Sequence, residues 1–570
     1  MSLSASAPWL AFYGSTPASV DYPDCSMYQL VSRAAAQYPD HIAYVFQGRK
    51  TTYREFMARI EAAAKGLYSL GIRKGQAVTI CMPNSPQALD CFYALNRLGA
   101  IANVIHPLSA AAEIAFYLNA SKSTAILTLD QFYEKIASVL PQVEQSCAIL
   151  VAKLSHELPF PLNLLYPMTK SGRHPLPKKG YILWSELVRA GKKISKLPAD
   201  DGQADDFSVI LYSGGTTGIP KGIMLSSRNF NALALQTIAA SGFGCIAHMK
   251  MLSVMPIFHG FGLGIGIHTA LVGGAACILL PLFSIKTYAK TLLKEKPNII
   301  PGVPTLFEAL LRAEELKDQD LSFLQGIFCG GDSLSPELKK KVDTFLKNHG
   351  CSEQIREGYG TTECVNASCL TPKDCHRDGS IGIPFPDMRY KIVAPGTTQE
   401  VSPQVEGEIC ICGPTVMLGY MDSEEENAET LRRHEDGCIW LHTGDLGFMD
   451  EDGFVYFRQR MKRMIISSGY NIYPSQMEHI LESHEKVLLS CVIGVKDSYR
   501  GQRIRAYIVP MPGIEPTDAL KKEILSYCAQ HIAKFAMPRE LIWRTEFPKT
   551  AVGKIAYRVL EEEAAKEDSL

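Results

Sequence analysis

The sequence predicts an α/β protein, with a large N-terminal part of parallel α/β layers, a β-rich subdomain at about 386–457 and a small α+β unit at the C-terminal end. Three observations carry this reading. Apolar runs alternate with helical patterns as far as about residue 335, short alternating strands and turns fill 386–457, and strand and helix patterns return beyond 463. A chain of 570 residues also exceeds what one core organises, so more than one domain is expected.

After a helical pattern around 54–70, "AVTICM" (77–82) reads as a buried strand. Ser85 and Pro86 fit the N-cap and first position of a helix that Gly99 ends. "AIANVI" (100–105), a helix from about Ser109 to Asn119 and "TAILTL" (124–129) continue the alternation, as parallel βαβ units require. Residues 153–180, rich in Pro, Lys and His, read as a surface excursion, and periodicity resumes at "SVILY" (208–212). Further strands are expected at 251–255 and 278–280, and "GIFCGGDSLS" (326–335) reads as strand, glycine turn and Ser-capped helix. The segment 260–283 is apolar and long enough to span a bilayer. Six glycines, His268, Thr269 and Pro281 argue instead for a buried strand, turn and helix. The C-terminal unit should hold strands at "SCVIGV" and "RIRAYIVP", a helix at 517–533, a strand at "ELIWRTE" and a charged terminal helix.

Composition narrows the partners. With 46% hydrophobic and 21% charged residues and a net charge of −1, nothing steers the whole molecule toward nucleic acid, and any anion must be held by a local site. Weak peripheral contact with a membrane is left open. The opening "MSLSASAPWLAFYG" lacks a basic region followed by an apolar core, so no secretory signal is expected. Sixteen cysteines then fit a reducing, cytoplasmic setting better than a disulfide framework. Cys364, Cys369, Cys375 and His376 have spacings that match no zinc knuckle, and no other His/Cys cluster stands out along the chain.

The stretch "YSGGTTGIPKG" (212–222) concentrates glycines, Thr216, Thr217 and Lys221 after an apolar run. Its glycines let backbone amides approach an anion, and the hydroxyls and the cation complete a phosphate cradle. It is not a Walker loop, because Pro220 precedes Lys221, Gly222 follows it, and Ile223-Met224-Leu225 reads as a strand. Four other stretches combine glycines with functional side chains: "GYGTTEC" (358–364), "LHTGDLG" (441–447), "FRQRMKRMIISSGYNIYP" (457–474) and "PKTAVGKI" (548–555). Taken singly, each could be a turn, a solvated strand edge or a surface lysine.

In this order and at these distances, the five stretches resemble the adenylate-forming superfamily of acyl-CoA synthetases, adenylation domains and luciferases, over nearly the whole chain. The likeness is greatest to bacterial long-chain fatty acid–CoA ligases, through "SGGTTG", "LHTGDLGFMDEDGF" and "SGYNIYP". That resemblance implies an adenylation domain over 1–461 and a mobile C-terminal domain over 462–570, with ATP, Mg²⁺ and coenzyme A as co-substrates and cofactor. It implies that Ser213, Gly214, Gly215, Thr216, Thr217, Gly218 and Lys221 wrap the β- and γ-phosphates, with Thr217 near Mg²⁺. Tyr359, with Gly360 and Thr361 behind it, would stack on adenine; Thr362 would meet the α-phosphate and Glu363 hold Mg²⁺. Asp445 and Arg460 would bind the ribose, Lys462 would be the hinge, and Lys554 would bridge the acyl carboxylate and the α-phosphate. Phe258, His259, Phe261, Gly262 and Gly266 would line the acyl pocket, and Gly469 and Tyr470 the coenzyme A tunnel.

The chemistry suits those assignments. A carboxylate attacking an anionic triphosphate needs Mg²⁺, backbone amides and a lysine to neutralise charge on the equatorial oxygens. One departure is Gln459, which stands where the family usually has Gly or Asp. Three rivals remain in view. An amino-acid adenylation domain would need an acid where His259 stands, and a catalytically dead nucleotide binder would lack Lys554 or Glu363. An aryl or other small carboxylic acid is the alternative substrate, because pocket walls come from positions that the sequence does not fix.

Overall fold

The computed structural model describes residues 7–169, 172–213, 220–467, 470–497, 501–532, 536–550 and 554–567. Two large sheets with parallel centres form the N-terminal part. One has nine strands, and its parallel core runs through Ile42–Phe46, Ala276–Leu279, Lys250–Ser253, Ile299–Gly302, Gly326–Cys329 and Ile355–Tyr359. The other has eight, with Phe207–Ser213, Ile101–Val104, Ala77–Cys81, Ala125–Leu129 and Ala148–Ala152 side by side and parallel. Their central strands are buried, which is why they read as unbroken apolar runs. A third, antiparallel sheet is built from Arg389–Val393, Gly407–Cys412, Leu431–Arg433, Ile439–Met449 and Val455–Arg460. The fourth sheet, from Ile465–Ser467 to Glu540–Trp543, has its own apolar core around Val492, Ile508 and Ile524.

Most expected elements form close to their expected bounds. The first crossover runs Ala77–Cys81, helix Pro86–Arg97, Ile101–Val104. Ser85 occupies the N-cap, but its hydroxyl donates to Pro83 O at 3.0 Å instead of capping, and Pro86 starts the helix without needing a donor partner. Ser335 does cap its helix, Pro336–Asn348, by accepting from the Leu338 amide at 3.2 Å, after a turn in which Gly331 takes φ +81°.

The segment 260–283 differs from expectation. Phe261–Thr269 is a wide π-type helix that continues as Ala270–Val272, and the strand Ala276–Leu279 follows, so the order is helix, turn, strand. Every residue of Phe261–Thr269 is buried, and His268 is held between Tyr93 Oη at 3.1 Å and Asn231 Oδ1 at 3.0 Å. Glycines on this helix let it lie close to neighbouring backbone, a demand that hydrophobic periodicity does not register. Among the described residues, no helix is long and apolar enough to cross a membrane.

Candidate active site

Parallel strands of the nine-stranded sheet end on one side in glycine-bearing turns, the usual place for a ligand in α/β folds. Gly326–Cys329 leads into Gly330-Gly331-Asp332, and Ile355–Tyr359 into Gly360 and the short helical turn Thr362–Cys364. The antiparallel sheet and the C-terminal unit face these turns. Between them lies a cleft of about 1160 Å³, lined by Ser213, Lys221, Tyr359, Thr362, Glu363, Asp445, Arg460 and Lys554 among others. Residues spread over some 340 positions of sequence thus meet in one place.

Side-chain pairings tie the cleft together. Tyr359 Oη donates to Asp445 Oδ2 at 2.7 Å, and Asp445 Oδ1 lies 3.3 Å from Arg460 Nε on the neighbouring strand. Burial pushes the Asp445 carboxyl above its usual range, and Arg460 opposes that shift. Glu363 Oε1 accepts from Tyr420 Oη at 2.8 Å, and Lys221 Nζ sits 2.5 Å from Glu426 Oε1 and over the Tyr420 ring. Strand pairing sets Ser213 opposite Lys221, and both line the cleft. Gly214, Gly215, Thr216, Thr217 and Gly218 themselves lie outside the described residues, as does Gly469.

Lys554 reaches the same cleft from the C-terminal unit. A Cβ on Gly331 would lie 3.6 Å from Lys554 Cε, and the Lys554 backbone is pinned by Thr550, through N–H to Oγ1 at 3.1 Å and O from N–H at 2.7 Å. Burial lowers the pKa of this ammonium below the ordinary lysine value, while Asp332, Asp445 and Glu363 pull the other way. His259 faces it. Burial, reinforced by Lys554, takes that imidazole down to about 3, so it is neutral at any physiological pH. Lys462 falls in the short turn Met461–Arg463 that joins the antiparallel sheet to the C-terminal one, and Tyr470 begins the strand Tyr470–Ile472.

The residues expected to line an acyl pocket divide. Phe258 and His259 line the cleft, with the His106 ring edge-on to Phe258 at 4.3 Å. Phe261 lines a separate apolar cavity of about 50 Å³, together with Phe243, Ile246, Ile265 and Ala367. Cleft and cavity share Cys329, Gly358 and Asn366 as walls, so the two lie side by side. Gly262 and Gly266 line neither. A Cβ on Gly262 would lie 2.1 Å from Pro256 O, so that glycine exists for close backbone packing, and around Gly266 the nearest atoms stand at 3.9 Å.

Several cleft residues escaped the sequence. Tyr420 and Glu426 precede and occupy a helix of ordinary composition, and only the fold brings them to Glu363 and Lys221. Glu357 lines the cleft with its carboxyl raised to about 8 by burial. Gln459, noted as a departure, is 1% exposed, and both polar atoms of its amide lack a partner.

Comparison with known proteins bears on what this cleft does. Residues 31–421 match the family model described as AMP-binding enzyme, and residues 476–554 match its C-terminal domain. A long-chain-fatty-acid–CoA ligase of Bacillus subtilis (strain 168) is 34% identical over 574 residues, covering 98% of each chain. One from Salmonella typhimurium is 31% identical, again over 98% of each. Among solved structures, the anthranilate CoA ligase AuaEII in complex with anthranoyl-AMP superposes with a TM-score of 0.83 at 24% identity, covering 97% of this chain and 99% of its own. A benzoate CoA ligase from Burkholderia xenovorans LB400 superposes at 0.79 and 22% identity, covering 94% and 99%.

Proposed function

The chain belongs to the AMP-binding enzyme family, as an adenylate-forming acid–CoA ligase, and from that premise we propose that its acid is a fatty acid of medium to long chain. The acid carboxylate attacks the α-phosphorus of ATP, pyrophosphate leaves, and an acyl-AMP forms. The thiol of coenzyme A then attacks the acyl carbon and AMP leaves.

One observation carries the substrate reading: the cavity beside the cleft, which shares Cys329, Gly358 and Asn366 with it, has no charged residue among its walls. An alkyl chain is the tail such walls accept, since each buried CH₂ contributes ~0.8 kcal/mol and a polar tail would lose its hydration unpaired. The names of the Bacillus and Salmonella relatives support the same class. The small volume of about 50 Å³ favours a second reading, an aryl or short acid, because ligand pockets usually span hundreds of Å³.

In this reading Tyr359 stacks on adenine, Asp445 and Arg460 hold the ribose, and Thr362 meets the α-phosphate. Lys554 bridges the acyl carboxylate and the α-phosphate, where it offsets the charge that builds as the bond forms. The Glu363 carboxylate lines the cleft and is a hard oxygen donor, the kind Mg²⁺ takes. When bound, that ion neutralises phosphate charge. Neutral His259 at the mouth of the acyl path admits a carboxylic acid without offering an ammonium a counter-charge. The turn at Lys462 is where the C-terminal unit reorients, so that Gly469 and Tyr470 can border the coenzyme A path in the second step.

Peripheral membrane contact fits such a substrate. Phe160 and Met168 are each 80% exposed, Leu162, Leu164 and Leu165 accompany them, and no carboxylate interrupts residues 158–185, which include Arg173, Lys178 and Lys179. An apolar strip beside cations suits an anionic bilayer. Sedimentation with phosphatidylglycerol vesicles, but not with neutral ones, is the expected outcome, and equal sedimentation with neither would remove this contact.

The deciding assay is pyrophosphate release with ATP, Mg²⁺ and coenzyme A over free acids from acetate to oleate, with benzoates alongside. A kcat/KM that rises with chain length supports the fatty-acid reading. A maximum at acetate or at a benzoate overturns it and leaves the adenylation chemistry standing.

A further inference from the structure

On the antiparallel sheet, away from Glu363, two imidazoles and a thiol converge. Cys410 on Gly407–Cys412 stands directly across from His442 on Ile439–Met449, so both side chains leave the same face. His434 follows the edge strand Leu431–Arg433, where its amide donates to Cys438 O at 3.0 Å and its ring stacks on Trp440 at 5.5 Å. The ligand atoms of Cys410, His434 and His442 all lie within 4.8 Å of one another, and all three residues are buried.

The imidazoles face each other nitrogen to nitrogen, with His434 Nε2 and His442 Nε2 3.0 Å apart. Two lone pairs cannot meet at that distance, so a proton or a metal ion must stand between them. The other nitrogen of His442 is accounted for: Nδ1 lies 2.8 Å from Glu408 Oε2. A carboxylate there fixes the proton on Nδ1 and leaves Nε2 as the donor atom, the arrangement that orients metal-bound histidines. Glu408 itself is held by the Gly444 amide, 3.0 Å from its Oε1.

We propose that Cys410, His434 and His442 form a zinc site, with Glu408 as the carboxylate that orients His442. Two imidazoles and a thiolate suit Zn²⁺ or a similarly soft ion, not the Mg²⁺ expected at Glu363, and a water completes the tetrahedron. Binding breaks the Cys410 S–H bond, forms a Zn–S bond and releases the proton to solvent. The site is independent of which acid the enzyme activates. Glu408 and His442 both line the nucleotide cleft, and Glu408 links His442 to the residue preceding Asp445.

The test uses the full chain and Zn²⁺ alone, freed of excess by gel filtration. Expected results are one retained Zn²⁺ per wild-type chain, a higher melting temperature with zinc, and a thiolate charge-transfer band when Co²⁺ replaces it. His434→Gln and Cys410→Ser should each weaken binding tenfold or more and lose the zinc-induced thermal shift, while keeping their zinc-free melting transition. Equal zinc retention by wild type and His434→Gln, or a Co²⁺ complex with no thiolate band, overturns the assignment. Should one variant not fold, the other and the Co²⁺ spectrum of the wild type still decide.

Discussion

Tyr359 and Asp445 are joined by a hydrogen bond of 2.7 Å between the phenol and Oδ2. Tyr359 ends the strand Ile355–Tyr359 of the nine-stranded sheet, and Asp445 lies within Ile439–Met449 of the antiparallel sheet, so this bond couples the two walls of the cleft. A phenol that donates to a buried carboxylate both satisfies it and sets its rotamer. Removing it leaves Asp445 with Arg460 alone.

Tyr359→Phe keeps a ring for stacking and removes only that donor. Hydrogen bonds to charged groups contribute about 1.5–3 kcal/mol, so the KM for ATP should rise at least about tenfold with kcat little changed. Steady-state kinetics with ATP as the varied substrate measures this. An unchanged KM would mean that Asp445 is positioned without Tyr359.

For Lys554 the expectation concerns one half-reaction. Losing a charge aimed at a developing oxyanion typically raises a barrier by ~2.7–4 kcal/mol, about 10²–10³ in rate. Lys554→Ala should therefore cripple acyl-AMP synthesis yet convert supplied acyl-AMP to acyl-CoA at nearly the wild-type rate. Synthesis of acyl-AMP near wild type would remove Lys554 from its assigned role.

Glu482 makes the stability of the C-terminal unit depend on pH. Its carboxylate ends the helix Pro474–Glu482, accepts from the Ser490 amide at 2.9 Å, and lies near Ser335 at the start of Pro336–Asn348. Burial raises its pKa to about 7 from an ordinary 4.5, with Glu478 adding to the shift. A raised carboxyl pKa means the folded form binds a proton that the unfolded form has released. Stability from this group is thus full below pH 4.5, falls by about 1.4 kcal/mol per pH unit toward 7, and levels off above. Glu482→Gln should flatten that slope, so its melting temperature should gain on wild type between pH 5 and 7. A constant difference across that window would contradict the assignment.

How much of this was legible beforehand depends on where the information lies. The parallel strands were plain because they are buried on both faces and read as apolar runs, and the glycine turn within 326–335 was plain because such a turn needs the positive φ that Gly331 takes. Tyr359, Asp445 and Arg460 could be named because their stretches, taken in order with the others, resemble the adenylate-forming superfamily. Tyr420, Glu426, Glu357 and the Cys410–His434–His442 group could not, because only tertiary packing gathers them at the cleft or beside one another. The acyl path misled for a related reason. Glycine at 262 marks close approach, and sequence does not say whether a ligand or a carbonyl does the approaching.

The chain-length prediction therefore falls on Ala367, which lines the apolar cavity beside the shared wall residue Asn366. Ala367 is 8% exposed, so a larger side chain there enters the cavity and takes volume that an alkyl tail would use. With ~0.8 kcal/mol for each buried CH₂, specificity should climb by about fourfold per methylene until the cavity is full. Ala367→Leu should end that climb at a shorter chain, and Ile246→Ala, which enlarges another wall, should extend it. Neither should change the KM for ATP, because neither residue lines the cleft. The measurement is kcat/KM for saturated acids of increasing length with each variant. If both variants keep the wild-type optimum, the alkyl tail does not enter this cavity, and the route past Cys329, Gly358 and Asn366 is not the acyl path.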